Sequence, residues 1–179
     1  MQRMVPAILS LQQHLDALNR EPEIYRPSAC PHCGLARLWG HGCYVRKADR
    51  RPEPSGSMNP VSIPRFYCQG CRQTCSRLPE CVAPRRWYGW ALQQVVLRCL
   101  LGGGSLHQAA AQGGVDRRTA RRWWRWLKAR GAAFGLGLRA RFPELGRAVD
   151  FAGFWQGCWE AMPLSRAMAW LDLEGIAVP

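Results

Sequence analysis

The sequence predicts an α+β chain in which a small β-hairpin domain organised by cysteines precedes a mainly α-helical domain. Three observations predict this. Two Cys-x-x-Cys pairs, Cys30-Pro31-His32-Cys33 and Cys68-Gln69-Gly70-Cys71, bracket short runs rich in β-branched and aromatic residues. Beyond residue 84 the apolar residues fall at helical spacing, punctuated by Gly102-Gly103-Gly104 and Gly113-Gly114. The net charge of +13 is also concentrated, because residues 85–130 carry ten Arg and Lys against Asp116 alone. The chain accordingly divides into an N-terminal helix and linker (1–28), a cysteine-bearing ribbon (29–83), a cationic helical domain (84–131) and a helical C-terminal segment (132–179).

Taken in order, Pro6 to Asn19 places Ile8, Leu11, Leu15 and Leu18 on one helix face, and Glu21-Pro22 and Arg26-Pro27 end that helix before the first cysteine pair. Each Cys-x-x-Cys turn offers two sulfurs from one tight loop, with backbone N–H groups to stabilise thiolate charge. Two such turns make the four corners of a tetrahedral Zn²⁺ site at Cys30, Cys33, Cys68 and Cys71. The interval between the pairs exceeds the usual ribbon spacing of about 15–20 residues. The polar, Pro/Gly/Ser-rich stretch from Ala48 to Pro60 accounts for the excess as a surface loop. The flanking runs, Leu38-Trp39 through Cys43-Tyr44-Val45 and Val61 through Phe66-Tyr67, pair as a hairpin. Cys43, Cys75, Cys81, His32 and His41 lie close enough in sequence to compete as ligands. A disulfide framework fits less well, since the nine cysteines are an odd number and no signal peptide or membrane-length apolar run is present. The expected setting is the bacterial cytoplasm, at the nucleoid, with no membrane partner.

Leu78-Pro79 and Ala83-Pro84 mark a linker into the helical domain. The first helix runs from Trp87 to Leu101 with Trp87, Trp90, Ala91, Val95, Leu97 and Leu101 as its apolar face. Ser105 caps a second helix, Leu106 to Gln112, and Asp116 caps a third, from Arg117 to about Arg130. A glycine turn between two such helices, preceded by a longer one, is a tri-helical helix-turn-helix. Ala110, Gly114, Val115, Ala120 and Trp123 fall where that motif requires close approach, a left-handed turn residue and buried apolar contacts. In the third helix Ala120, Trp123, Trp124 and Leu127 form the inward stripe, leaving Arg117, Arg118, Arg121, Arg122, Arg125 and Lys128 as candidate DNA contacts. A merely solvated face mixes charge signs to gain i,i+4 pairs, whereas this one stacks like charges that phosphates would relieve. Double-stranded DNA is the expected partner.

The chain from about residue 28 to 130 resembles the amino-terminal targeting region of bacterial insertion-sequence transposases, which joins a zinc ribbon to a helix-turn-helix. The resemblance rests on Cys30-Pro31-His32-Cys33-Gly34, Trp39-Gly40-His41-Gly42, Tyr44, Arg46, the Ile63-Pro64-Arg65-Phe66-Tyr67-Cys68 strand with Cys71, and the helical motif. The run from Ala109 to Trp124 is also similar to the recognition segment of Hin-type recombinases. It implies sequence-specific binding of transposon ends by a mobile-element accessory or regulatory factor. Fewer than fifty residues follow the motif, and the acids Glu144, Asp150, Glu160, Asp172 and Glu174 fall on expected helices, Pro143 to about Met162 and Ser165 to Leu173. No catalytic residue is therefore expected. The alternative is an interaction adaptor, in which Phe151, Phe154, Trp155, Trp159, Met162, Met168, Trp170 and Leu171 dock a separate transposase or recombinase, or a second copy as a homodimer.

Overall fold

The chain divides between Tyr88 and Gly89 into an N-terminal unit, Met1–Tyr88, and a C-terminal unit, Gly89–Pro179. The computed structural model describes residues 3–48, 58–84, 88–148 and 150–178. Most of the expected surface loop, residues 49–57, and the expected first helical residue, Trp87, lie outside the described residues. Small sheets and helices together bear out the α+β class.

In the N-terminal unit, strands β2 (Leu38–Arg46), β3 (Val61–Cys68) and β4 (Thr74–Cys75) form an antiparallel sheet in the order β2-β3-β4. The expected hairpin is β2-β3, and β4 adds a third strand. A second, parallel pair joins β1 (Met4–Val5) to β5 (Leu78–Pro79), so the start of the chain and the residues after the second cysteine pair are hydrogen-bonded together. Strands of two residues are too short to show a period, and the sequence gives no sign of this one. Helix α1 spans Leu11–Arg20, starting later than Pro6, because the Ser10 side chain accepts the Gln13 N–H at 3.1 Å and fixes the first turn there. Ile8 is buried, but ahead of the helix, in a cluster with Val5, Tyr25, Leu38, Phe66 and the cysteines 30, 68 and 75; Ala17 and Leu18 pack against it. A second cluster joins Val61 and Ile63 to Leu78 and Val82.

The buried residue of α1 is a histidine. His14 is fully enclosed, with Nδ1 2.5 Å from the Tyr25 hydroxyl and Nε2 2.9 Å from the Ser62 carbonyl. A carbonyl only accepts, so Nε2 carries the proton and Nδ1 accepts from Tyr25. One neutral ring thus ties α1, the 3-10 turn Pro22–Tyr25 and β3 together. Burial lowers the His14 pKa, with the Ser62 bond opposing. The native state therefore resists a proton that the unfolded chain accepts below about pH 6.5. This contribution to stability is present above that pH and is lost as pH falls toward the lower native value. We expect His14→Gln to lower the melting temperature of the protein at pH 7.5 and to reduce its further drop between pH 7 and 5.5, read by thermal denaturation beside the unsubstituted chain.

The C-terminal unit holds α2 (Trp90–Leu101), α3 (Leu106–Gly113), α4 (Arg117–Arg141), α5 (Phe151–Ala161) and α6 (Leu164–Leu173). On α2 the buried stripe is Trp90, Leu92, Gln93, Val96, Leu97, Leu100 and Leu101, and the expected Ala91 and Val95 are exposed. Both faces of α2 are apolar, so periodicity alone could not choose between them. Helix α4 does not stop near Arg130, and the expected boundary at 131/132 falls inside it. Glycines 131 and 137 sit in this helix because neighbours need the space: a Cβ on Gly131 would lie 2.7 Å from the Phe151 ring, and one on Gly137 2.4 Å from Ile176 Cδ1. The single helix expected from Pro143 to Met162 is a 3-10 turn, Pro143–Arg147, followed by α5, because the Asp150 carboxylate accepts the Gly153 N–H at 2.6 Å and caps a new helix.

Candidate functional site

The two Cys-x-x-Cys turns have the same backbone geometry. In the first, Cys30 N–H donates to the Leu35 carbonyl and Gly34 N–H to the Cys30 carbonyl; in the second, Cys68 N–H donates to Gln73 and Arg72 N–H to Cys68. The residue after each pair is left-handed, Gly34 at φ +77° and Arg72 at φ +58°. Gly70 leaves room for Leu35, whose Cδ1 would lie 2.2 Å from a Cβ there, so the two turns seat against each other. Their ligand atoms all fall within 4.8 Å of one another. Cys30 and Cys71 Sγ are 3.6 Å apart, and Cys33 and Cys68 Sγ are 3.5 Å apart. A metal bound tetrahedrally at about 2.3 Å to sulfur requires S···S edges near 3.8 Å. The expected four ligands are therefore together, at a spacing that can hold a metal ion.

The electrostatics of the cluster favour a cation. The Cys71 N–H, with that of Gly70, draws the Cys68 thiol down to about 7 against the effect of burial. The Gln73 N–H acts on Cys71 in the same direction, but burial and the neighbouring thiols together push it up to about 12. Four thiolates do not coexist in this space without a positive charge among them. Of the competing ligands, Cys43 is exposed, Cys81 is half-buried, and Cys75 is buried with its thiol 3.7 Å from the Phe66 carbonyl; none joins the cluster, nor do His32 and His41.

The second candidate site lies in the C-terminal unit. Ser105 and Gln108 form a reciprocal capping box that starts α3, Gly114 turns the chain at φ +59°, and the Asp116 carboxylate accepts the Arg118 N–H at 2.6 Å to start α4. Gly113 allows α3 to close on α2, since a Cβ there would come 2.4 Å from Val96 Cγ2. Ala110, Ala120, Trp123 and Leu127 are buried, as expected, and Val115 is half-buried. Trp124 does not join the inward stripe fully; it is half-buried, edge-on to Phe151, with the Lys128 ammonium over its ring at 5.1 Å. Arg117, Arg118, Arg121, Arg122, Arg125 and Lys128 are all exposed, and among the described residues no carboxylate pairs with any of them. Helix α4 itself contains no acidic residue over its 25 positions.

The C-terminal aromatics build the core of their unit. Phe154, Trp155, Trp159, Met168 and Leu171 are buried, with Trp155 at the centre of a chain of edge and tilted contacts to Phe134, Phe154 and Trp159. Phe151, Met162 and Trp170 are half-buried. Of the acids, Asp172 is buried on α6, Asp150 is the α5 cap, and Glu144, Glu160 and Glu174 are exposed. No helix of the described residues is long and apolar enough to cross a membrane.

A family model described as "Domain of unknown function (DUF6431)" matches residues 30–123, from the first cysteine turn to the buried tryptophan of the cationic helix. No curated protein and no solved structure matches the chain.

Proposed function

The chain belongs to the DUF6431 family, and we propose that it is a zinc-binding, sequence-specific double-stranded DNA-binding protein that serves a mobile element as an accessory or regulatory factor. The observation that carries the reading is the outer face of α4. Six cations project from its first three turns, unpaired by carboxylates among the described residues, on a helix seated by Ala120, Trp123 and Leu127. The tight turn at Gly114 leaves the α4 N-terminus free to enter a major groove, where Arg side chains can take guanine O6 and N7 in a bidentate grip. In this reading the four cysteines hold Zn²⁺, because an all-thiolate tetrahedral set suits that ion and closes the site to substrate. Zinc would then be a structural element and not a reactive centre. The mobile-element role rests on the resemblance to transposase targeting regions. Burial of most of its aromatics in their own unit weighs against the adaptor alternative.

Duplexes selected from a random pool would define the site, and fluorescence anisotropy would then measure affinity. Arg118→Ala combined with Arg121→Ala is expected to weaken binding tenfold or more, about 1–3 kcal/mol for each bidentate grip on a base that is removed. A phosphate contact would weaken all duplexes alike, whereas a base contact would relax one position of the site. Unchanged affinity in the double variant would return α4 to an ordinary solvated helix.

A further inference from the structure

We propose that the outer face of the β2-β3-β4 sheet binds the unpaired bases of a single-stranded nucleic acid. This site belongs to the N-terminal unit and is independent of α4.

The register places Trp39, Tyr67 and Thr74 on one rung across the three strands. The opposite face of β3 is occupied: Phe66 and Cys68 are buried with Leu38 and the α1 side chains. On the outer rung Trp39 is 60% exposed, Thr74 is exposed and Tyr67 is half-buried. One exposed tryptophan is unremarkable by itself. Here it is joined by a second feature. Between Gly40 and Cys43 strand β2 carries one more residue than β3, a bulge that Gly42 accommodates at φ +66°. The exposed His41, two residues along β2 from Trp39, lies beside Tyr67, with ring centroids 5.6 Å apart and planes inclined by 36°. Trp39 and the His41–Tyr67 pair thus present aromatic surface to solvent from adjacent strands.

The charge around these rings selects the kind of ligand. Residues 27–48 and 58–79 contain Arg37, Arg46, Lys47, Arg65, Arg72 and Arg77 and no Asp or Glu. Arg46 and Arg77 are engaged with the Ala83 and Met4 carbonyls. Arg37, Lys47 and Arg72 remain exposed. Arg72 holds the left-handed position of the second cysteine turn, where the first turn has Gly34, a conformation that disfavours a side chain by about 1–2 kcal/mol. A metal with four thiolates would add a charge of about −2, which the exposed Arg37, Lys47 and Arg72 still exceed. π-faces on a sheet with exposed cations match bases that stack and phosphates that run alongside. They do not match an apolar peptide without acidic residues, which would leave the cations without partners.

The test uses the full zinc-loaded chain with labelled oligo(dT) and oligo(rU) of about twelve nucleotides, within the usual site size of such surfaces. The two strands separate a DNA from an RNA ligand. Trp39→Ala is expected to lower affinity for the preferred strand about tenfold, and Trp39→Phe, which keeps a π-face, to recover most of it. Because Trp39 is mostly solvent-exposed, the variant should keep its zinc content and melting temperature. Duplex binding should be unchanged in Trp39→Ala, while the Arg118→Ala/Arg121→Ala variant should still show the Trp39-dependent part of strand binding. Strand affinity unaffected by Trp39→Ala, or no strand binding by the unsubstituted chain, would overturn the proposal whatever the duplex measurements show. Loss of duplex binding alone would bear on α4 and not on this face.

Discussion

With Zn²⁺ in the four-cysteine site, as proposed, chelation is expected to unfold Met1–Tyr88 and leave the helices of Gly89–Pro179 in place. The reason lies in where the ligands sit. Cys30 and Cys68 are themselves members of the principal apolar cluster of the N-terminal unit, and Cys71 packs against it. Without a cation, the four sulfurs either retain protons or repel, and the turns that carry them lose the force that holds Leu35 on Gly70. Structural zinc sites contribute binding free energies of about 10–16 kcal/mol, which matches or exceeds the usual stability of a domain, about 5–15 kcal/mol. Cys68→Ser should therefore abolish stoichiometric zinc and the sheet signal, whereas Cys75→Ser, outside the ligand set, should keep one equivalent. Zinc affinity should fall as pH falls, because protons compete for the thiolates. Elemental analysis with circular dichroism before and after chelation checks each point. A metal-free protein with an unchanged thermal transition would remove zinc from the account of this fold.

What the residues disclose in advance is local chemistry, and what they conceal is tertiary. Ser105, Gly114 and Asp116 declare their roles because a cap or a left-handed turn requires a side chain, or the lack of one, within three residues. The cysteine turns are legible for the same reason, since two sulfurs three residues apart are a complete half-site. Gly131 and Gly137 mislead for the opposite reason. In sequence they resemble the stop signals of Gly102 to Gly104, and only the approach of Phe151 and Ile176 explains them within a continuous helix. His14 shows the same limit. It falls on the expected inward side of α1, yet its enclosure depends on Tyr25 and on a carbonyl of β3 that is 48 residues distant. On α2, Leu92, Val96 and Leu100 are buried where Ala91 and Val95 are expected, because the apolar residues leave two faces equally eligible and packing with α3 decides. The outer rung of the sheet is unreadable until the pairing of β2 with β3 sets Trp39 opposite Tyr67.

Duplex affinity is expected to fall about a thousandfold as salt rises from about 50 to 200 mM, if all six cations of the α4 face meet phosphate, because each neutralised phosphate releases close to one counterion. The logarithmic slope would then be near −5, and the Arg118→Ala/Arg121→Ala variant should make it shallower by about two. This measurement separates DNA contact from a solvated face more sharply than affinity alone. Arg117 and Arg121, Arg118 and Arg122, and Arg121 and Arg125 are like charges four residues apart on one helix. Each such pair disfavours the free helix by a few tenths of a kcal/mol. With no carboxylate to relieve them among the described residues, the repulsion must be screened by salt or removed by a polyanion. Added salt should consequently stabilise the free C-terminal unit while weakening its complex, and a duplex should raise the unit's melting temperature most at low salt. Opposite signs for the two salt effects are the signature of a face shaped for phosphate. If salt left duplex affinity unchanged, the face would not meet phosphate at all, and if the double variant kept the full slope, Arg118 and Arg121 would not be phosphate contacts.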